Sequence, residues 1–242
     1  MVNADLFRTI VGILGNVISF CLFLSPMPTF YSIWKDKSVK GFKPDPYVAT
    51  VFNCAMWMIY GMPFVHPDSL LVITINGIGL VIETFYITVF VIYSDWHKRR
   101  KIFLILAAEA VIYAIVWVIV LLCFHTTTTR SMFIGIFCII LNIAMYASPL
   151  TVMKRVIRTK SVKYMPFFLS LANLANGVVW SLYALIKFDP FILIPNGLGT
   201  LSGVVQVALY AIYYKSTNWD EDDINTTNNN KGKEVQMQSS SA

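Results

Sequence analysis

The chain has 242 residues, is 57% hydrophobic, carries 13% charged residues and has a mean hydropathy of +0.64. An ordinary soluble domain carries about 25% charged residues, so a single soluble core is excluded and lipid is the implied solvent. The net charge of +6 resides mainly in loops and the tail, where it serves anchoring to anionic headgroups rather than nucleic-acid binding.

Asp5 and Arg8 precede the first apolar run. They give no positive n-region, and the run is too long for a signal core, so no cleavable leader is expected. The first predicted span is Thr9 to Trp34, free of charge, and Lys35, Lys37, Lys40 and Lys43 follow it. The second is Pro46 to Pro67 and the third Ser69 to Ser94, with the single acid Glu83. Lys98, Arg99, Arg100 and Lys101 then precede a fourth span, Ile102 to Thr129, which holds Glu109. Spans five, six and seven are Ser131 to Met153, Tyr164 to Ile186 and Pro190 to Tyr214. Each window meets or exceeds the roughly 20 residues that cross a bilayer as a helix. Prolines within them are tolerable, because neighbouring helices satisfy the freed backbone groups. Residues 216–242 are polar and poor in large apolar residues, and a disordered tail is expected.

The cysteines Cys21, Cys54, Cys123 and Cys138 fall inside predicted spans without metal spacing and read as small apolar residues. Sixteen Lys and Arg flank one side of the spans, in the loops after spans one, three and five and in the tail. Only Arg8, Arg130 and Lys187 flank the other. The positive-inside rule then puts the C-terminus in the cytosol and the N-terminus outside.

Four short stretches recur at offsets of 120 to 123 residues. Ser25-Pro26 returns as Ser148-Pro149, and Lys37-Ser38-Val39-Lys40 as Lys160-Ser161-Val162-Lys163. Trp57-Met58-Ile59-Tyr60 is echoed by Trp180-Ser181-Leu182-Tyr183, and Asn76-Gly77-Ile78-Gly79 by Asn196-Gly197-Leu198-Gly199. The repeating unit is three spans, with the fourth between the copies. Spans one and five cross in the same direction, so the copies are parallel. The expected organisation is a first repeat over residues 1–94, a linker helix over 95–129, a second repeat over 130–215 and the tail over 216–242. The expected fold class is an all-α integral membrane protein of seven helices, 3+1+3. Parallel repeats of this kind suit a carrier with its site at the repeat interface.

On these blocks, together with Tyr60-Gly61-Met62-Pro63, the chain resembles the plant SWEET (MtN3/saliva) sugar transporters over roughly residues 6 to 215. Pro44-Asp45-Pro46-Tyr47, LLVITINGIG and NLANGVVW further resemble its hexose-associated subgroup. The resemblance implies facilitated sugar transport, a sugar and membrane lipid as partners, a plasma-membrane location, and oligomers with itself or with related transporters. It implies no cofactor and no covalent chemistry; nor does the sequence hold a P-loop or a metal or nucleophile constellation.

Asparagines inside apolar spans ordinarily bond helix to helix, with glycines permitting close approach. Two of them at repeat-equivalent positions, Asn76 and Asn196, face each other across the repeat axis. An unpartnered amide in an apolar medium costs roughly 2–7 kcal/mol, and sugar hydroxyls match an amide as donors and acceptors. The resemblance makes this pair the sugar clamp and puts Trp180, mid-span, against the sugar ring. It adds Phe23, Cys54, Asn142, Met145 and Asn176 to the cavity and aligns Met58, not Trp57, with Trp180, which makes the pocket asymmetric. Side chains larger than those of disaccharide carriers favour a monosaccharide. Pro26, Pro46, Pro149 and Pro166 match the family's proline tetrad and imply hinges at the cytosolic gate, although a proline in a helix's first turn needs no such role. Tyr60, Tyr183 and Asp189 imply the outer gate. Glu83 is a candidate proton relay, which leaves a proton-coupled carrier as an alternative. Glu109 is expected at a subunit contact or the headgroups. The histidines His66, His97 and His125 at span ends argue against an internal proton wire. A seven-helix receptor is the other alternative, and the internal repeat argues against it.

Overall fold

The computed structural model describes residues 4–219, and every regular element among them is helical. The order is α1 (Ala4–Leu24), α2 (Met27–Asp36), α3 (Asp45–Gly61), α4 (Leu70–Tyr93), α5 (Trp96–Leu122), α6 (Thr127–Met145), α7 (Ala147–Thr159), α8 (Phe167–Ile186) and α9 (Pro190–Tyr213). The predicted first span is α1 and α2 in succession, and the fifth is α6 and α7, so the nine helices make seven crossings. By length and composition, six of the crossings are long and apolar enough for a bilayer. The second crossing, α3, has 17 residues, or about 25 Å at 1.5 Å per residue. The rest of its predicted window, to Pro67, forms the turns that close one end of the molecule.

The breaks in crossings one and five have identifiable causes. Pro26 and Pro28 remove two backbone donors, and Ser25 N turns back to Leu22 O at 3.0 Å. At the second break Tyr146 N is shared between Asn142 O and Ile143 O, three residues before Pro149. Both short helices then end alike. Lys37 (φ 53°) and Lys160 (φ 51°) are left-handed caps, and Val39 and Val162, two residues on, are buried. The repeated Lys-Ser-Val-Lys block is therefore a helix stop followed by an apolar plug.

In the first half α4 lies between α1 and α3; in the second, α9 lies between α6 and α8. The halves meet through α1 against α8 and α3 against α6, a two-fold arrangement. The linker α5 packs chiefly on α3, and its outer surface, including Leu104, Val111, Val118 and Leu122, is exposed, as a lipid-facing helix requires. Glu109 stands at the middle of α5, about 20 Å from either end, so the expectation of a headgroup position is corrected. The four cysteines are free thiols.

The expected start of the disordered tail is also corrected. Thr217 is buried and its hydroxyl accepts from Val162 N at 2.9 Å, while Ser216 Oγ donates to Lys160 O at 2.6 Å. The remainder of that expectation, and the Asn225-Thr226-Thr227 glycosylation sequon, lie outside the described residues.

Candidate functional site

A cavity of about 390 Å³ opens where the two halves meet. All eight residues expected to hold substrate line it: Asn76, Asn196, Trp180, Asn176, Cys54, Phe23, Asn142 and Met145. Most of the lining follows the repeat. Positions on α1 and α3 recur 123 residues later on α6 and α8: Ser19 with Asn142, Asn53 with Asn176, Thr50 with Asn173, Trp57 with Trp180. Positions on α4 recur 120 residues later on α9: Val72 with Ile192 and Asn76 with Asn196. Ser19, Asn53, Thr50 and Asn173 escaped the sequence reading; the 123-residue offset from Asn142 and Asn176 would have found the first two, while Thr50 and Asn173 correspond only to each other.

The asparagine pair is equivalent in its bonding as well as its position. Asn76 Nδ2 donates to Val72 O at 2.8 Å and Asn196 Nδ2 to Ile192 O at 2.8 Å. Each amide thus spends one N–H on its own helix, leaving an acceptor and a donor for the cavity. Neither bonds to another helix among the described residues. Nor do the adjoining glycines bring helices together: a Cβ on Gly77 would come no nearer than 3.9 Å to its neighbour, and on Gly197 it would meet nothing within 4 Å. The two asparagines therefore lack the geometry of helix-to-helix glue, whereas the second glycine of each motif does allow close approach: a Cβ on Gly79 would clash with the Phe23 ring and one on Gly199 would stand 2.7 Å from the Tyr146 hydroxyl.

The halves are bonded beside the clamp. Trp180 Nε1 donates to Ser19 Oγ at 3.0 Å, and Ser19 Oγ to Asn176 Oδ1 at 2.6 Å. On the other side Asn142 Nδ2 reaches Asn53 Oδ1 at 3.2 Å. Gly15 lies under the Trp180 indole, where a Cβ would stand 3.0 Å from the ring. Both tryptophans turn edge-to-face against a tyrosine one turn on: Trp57 to Tyr60 at 5.3 Å and 77°, Trp180 to Tyr183 at 5.2 Å and 70°. Trp57 is therefore the counterpart of Trp180, and the expected alignment of Met58 with it is corrected. The indoles roof the cavity as a matched pair.

Above them, at the end where the chain begins, the Tyr60 hydroxyl donates to Asp189 at 2.8 Å from both carboxylate oxygens. Asp189 is buried and also caps α9, accepting from Phe191 N at 3.0 Å and Ile192 N at 3.2 Å. His66 stacks on Tyr60 at 4.8 Å and stands 3.5 Å from Asp189. Burial lowers the His66 pKa from its usual value, against the raising pull of Asp189. This histidine was missed as a gate residue because it sits in a loop. Tyr183 lies at the same end without touching a carboxylate. Its ring carries the Arg8 guanidinium at 4.1 Å and its hydroxyl points to Asp68 O at 3.5 Å. Asp68 in turn pairs with Lys187, which holds its carboxyl below the ordinary range.

Of the four prolines, Pro26 stands at the first helix break and Pro149 just past the second. Pro46 lies inside the first turn of α3, whereas Pro166 is the cap residue before α8. These last two stand at corresponding ends of corresponding helices, but not in register.

The family described as "Sugar efflux transporter for intercellular exchange" matches residues 9–98 and 132–218. The chain belongs to the SWEET family. Among its relatives, "Bidirectional sugar transporter SWEET5" of Arabidopsis thaliana is 63% identical over 216 residues, 89% of this chain and 90% of that protein. "Bidirectional sugar transporter SWEET4" of the same plant is 60% identical over 222 residues, covering 92% and 88%. The solved structure of a eukaryotic SWEET transporter at 3.7 Å superposes with a TM-score of 0.84 at 39% identity, covering 88% of this chain and 99% of that one. The two stretches that match the family leave out most of α5. This SWEET is thus an all-α, seven-helix integral membrane protein of a transporter family, and its relatives are not enzymes.

Proposed function

We propose that this protein is a bidirectional sugar facilitator working by alternating access, with glucose or a related hexose as substrate. The observation that carries the reading is the two-fold cavity. Its roof is a pair of indoles and its walls hold a pair of amides, each with a free donor and a free acceptor. A pyranose offers apolar C–H faces to the rings and a rim of hydroxyls to the amides. The names of the relatives, bidirectional sugar transporters, support the same substrate class. Phe23 and Met145 narrow the cavity, whose 390 Å³ is at the small end of ligand sites. That favours a monosaccharide.

The closed Tyr60–Asp189 contact forms the outer gate in this reading, and the prolines at the opposite end serve as hinges. The two repeats are assigned to residues 1–94 and 130–215, with 95–129 as linker. The Lys/Arg distribution supports an external N-terminus and a cytosolic C-terminus, and the family resemblance implies the plasma membrane as the location. The gradient alone drives flux. The deciding experiment expresses the protein in a cell deficient in sugar uptake and compares labelled glucose with sucrose in both directions. Glucose is expected to equilibrate and sucrose to lag. Accumulation of glucose against its gradient that collapses with a protonophore would replace this reading with a coupled carrier.

A further inference from the structure

The two-fold lining has four exceptions, Phe23, Cys54, Ile75 and Glu83, and only Glu83 brings in a carboxyl group. At the 120-residue offset that relates Asn76 to Asn196, the counterpart of Glu83 is Gly203. There α9 presses on α8 so closely that a Cβ on Gly203 would stand 2.8 Å from the Leu174 backbone. The first repeat makes room at this level, and the second does not. Glu83 fills that room: it lines the cavity, is only 4% exposed, and its Oε2 is buried with no hydrogen-bond partner. No Lys, Arg or His lines the cavity with it. A side chain kept for packing alone would be apolar, because an unmade hydrogen bond in the interior is costly.

Glu83 follows Asn76 on α4 by seven residues, two helical turns or about 10 Å along the axis. Residues seven apart share one face of a helix, so both side chains reach the same cavity from the same wall. Side chains on a helix lean toward its N-terminus, and Asn76 and Glu83 share that lean, so their spacing along the wall stays at about 10 Å. That spacing leaves room for one sugar ring with a hydroxyl hydrogen-bonded at each end.

Resting on the reading of this cavity as a sugar site, we propose that Glu83 is a further substrate-contacting residue. It bonds the hydroxyls at the end of the sugar remote from the asparagine clamp and gives the two-fold site a single preferred sugar orientation. A symmetric clamp alone would accept either direction equally.

The test uses the full-length protein purified into liposomes, with glucose uptake resolved into KM and Vmax for wild type, Glu83→Gln and Glu83→Leu. The amide of Glu83→Gln still donates and accepts, so its KM is expected within about threefold of wild type. Glu83→Leu fills the space without bonding, and its KM is expected to rise at least about tenfold at similar Vmax per folded carrier. A series of singly deoxygenated glucoses separates contact from structure. One position should be penalised in wild type and lose that penalty in Glu83→Leu. If Glu83→Leu does not fold, Glu83→Asp, which withdraws the acid by one methylene, should show the KM rise instead. An unchanged KM in the folded variant, or an unchanged deoxyglucose profile, overturns the proposal while leaving the carrier intact. Wild-type liposomes that move no sugar overturn the transport reading and this one with it.

Discussion

The Tyr60 hydroxyl and the Asp189 carboxylate meet at 2.8 Å across the junction of α3 and α9, joining two halves of the chain 129 residues apart. The bond is charge-assisted and buried, a class worth about 1.5–3 kcal/mol. In the proposed alternating-access reading, that is strong enough to hold one end of the carrier shut and weak enough to break in each cycle. Its repeat counterpart pairs Tyr183 with a stretch containing Ser69 in place of Asp189, so only one half supplies a carboxylate to the latch.

Separating the two duties of Asp189 gives a first prediction. Tyr60→Phe removes the latch and leaves the α9 cap; Asp189→Ala removes both. Loss of such a cap costs about 0.5–2 kcal/mol. Both variants should transport more slowly, and thermal melts of the purified proteins should show Asp189→Ala as the less stable. Equal melting temperatures would mean that the cap contributes nothing.

If Tyr60 and Asp189 form the outer gate, His66 should give that gate a pH response. Its pKa lies below the ordinary value because burial disfavours the imidazolium. The closed arrangement therefore favours neutral imidazole. Its stabilising contribution is complete above the unfolded value of about 6.5 and is lost as pH falls through the lowered folded value. Acidification of the gate side below about pH 6.5 should loosen closure and alter the transport rate. In His66→Gln that part of the pH profile should be flat. The check is initial uptake rate against external pH for both proteins.

Prolines at helix breaks and prolines at helix starts should differ. Pro26 and Pro149 stand where the crossing helix is interrupted, so Pro26→Ala and Pro149→Ala allow a straighter, stiffer helix. Pro46 and Pro166 occupy a first turn and a cap, where proline fits without strain. All four alanine variants should slow transport while still reaching the membrane, with the first pair slower. Surface-normalised uptake measures this, and four normal rates would reduce the prolines to helix punctuation.

The Lys/Arg asymmetry yields a topological prediction. An epitope at the N-terminus should be accessible to antibody on unpermeabilised cells, and the sequon at Asn225 should carry no glycan. A glycan there would reverse the assigned orientation.

Much of this architecture was legible because lipid makes helices nearly compulsory. Two of the apolar windows end close to the observed helices; α4 (Leu70–Tyr93) and α9 (Pro190–Tyr213) each differ from their windows by one residue at one or both ends. The breaks near Pro26 and Tyr146 were less visible, because a proline does not announce whether its helix bends or stops. In the site, single residues were legible where type and place clashed, as with amides in apolar runs. Partners were harder to see. Asn53 and Ser19 were within reach of the repeat offset, but their bonds to Asn142 and Asn176 appear only when the helices pack. Trp57 was obscured by an alignment that the tyrosine contacts contradict. Loop residues carry no periodicity, so His66 could be assigned to the gate only once the turn after α3 was folded over it.

The central claim is that Asn76 and Asn196 are one clamp. Glucose binding to purified, monodisperse Asn76→Ala and Asn196→Ala proteins tests it most directly. Each variant loses a hydrogen bond worth about 0.5–1.5 kcal/mol and leaves sugar hydroxyls unpaired at about 1–3 kcal/mol more. Binding should weaken by about tenfold or beyond in both, and to a similar degree, with the folded protein intact. Near-normal affinity in both variants would contradict the clamp.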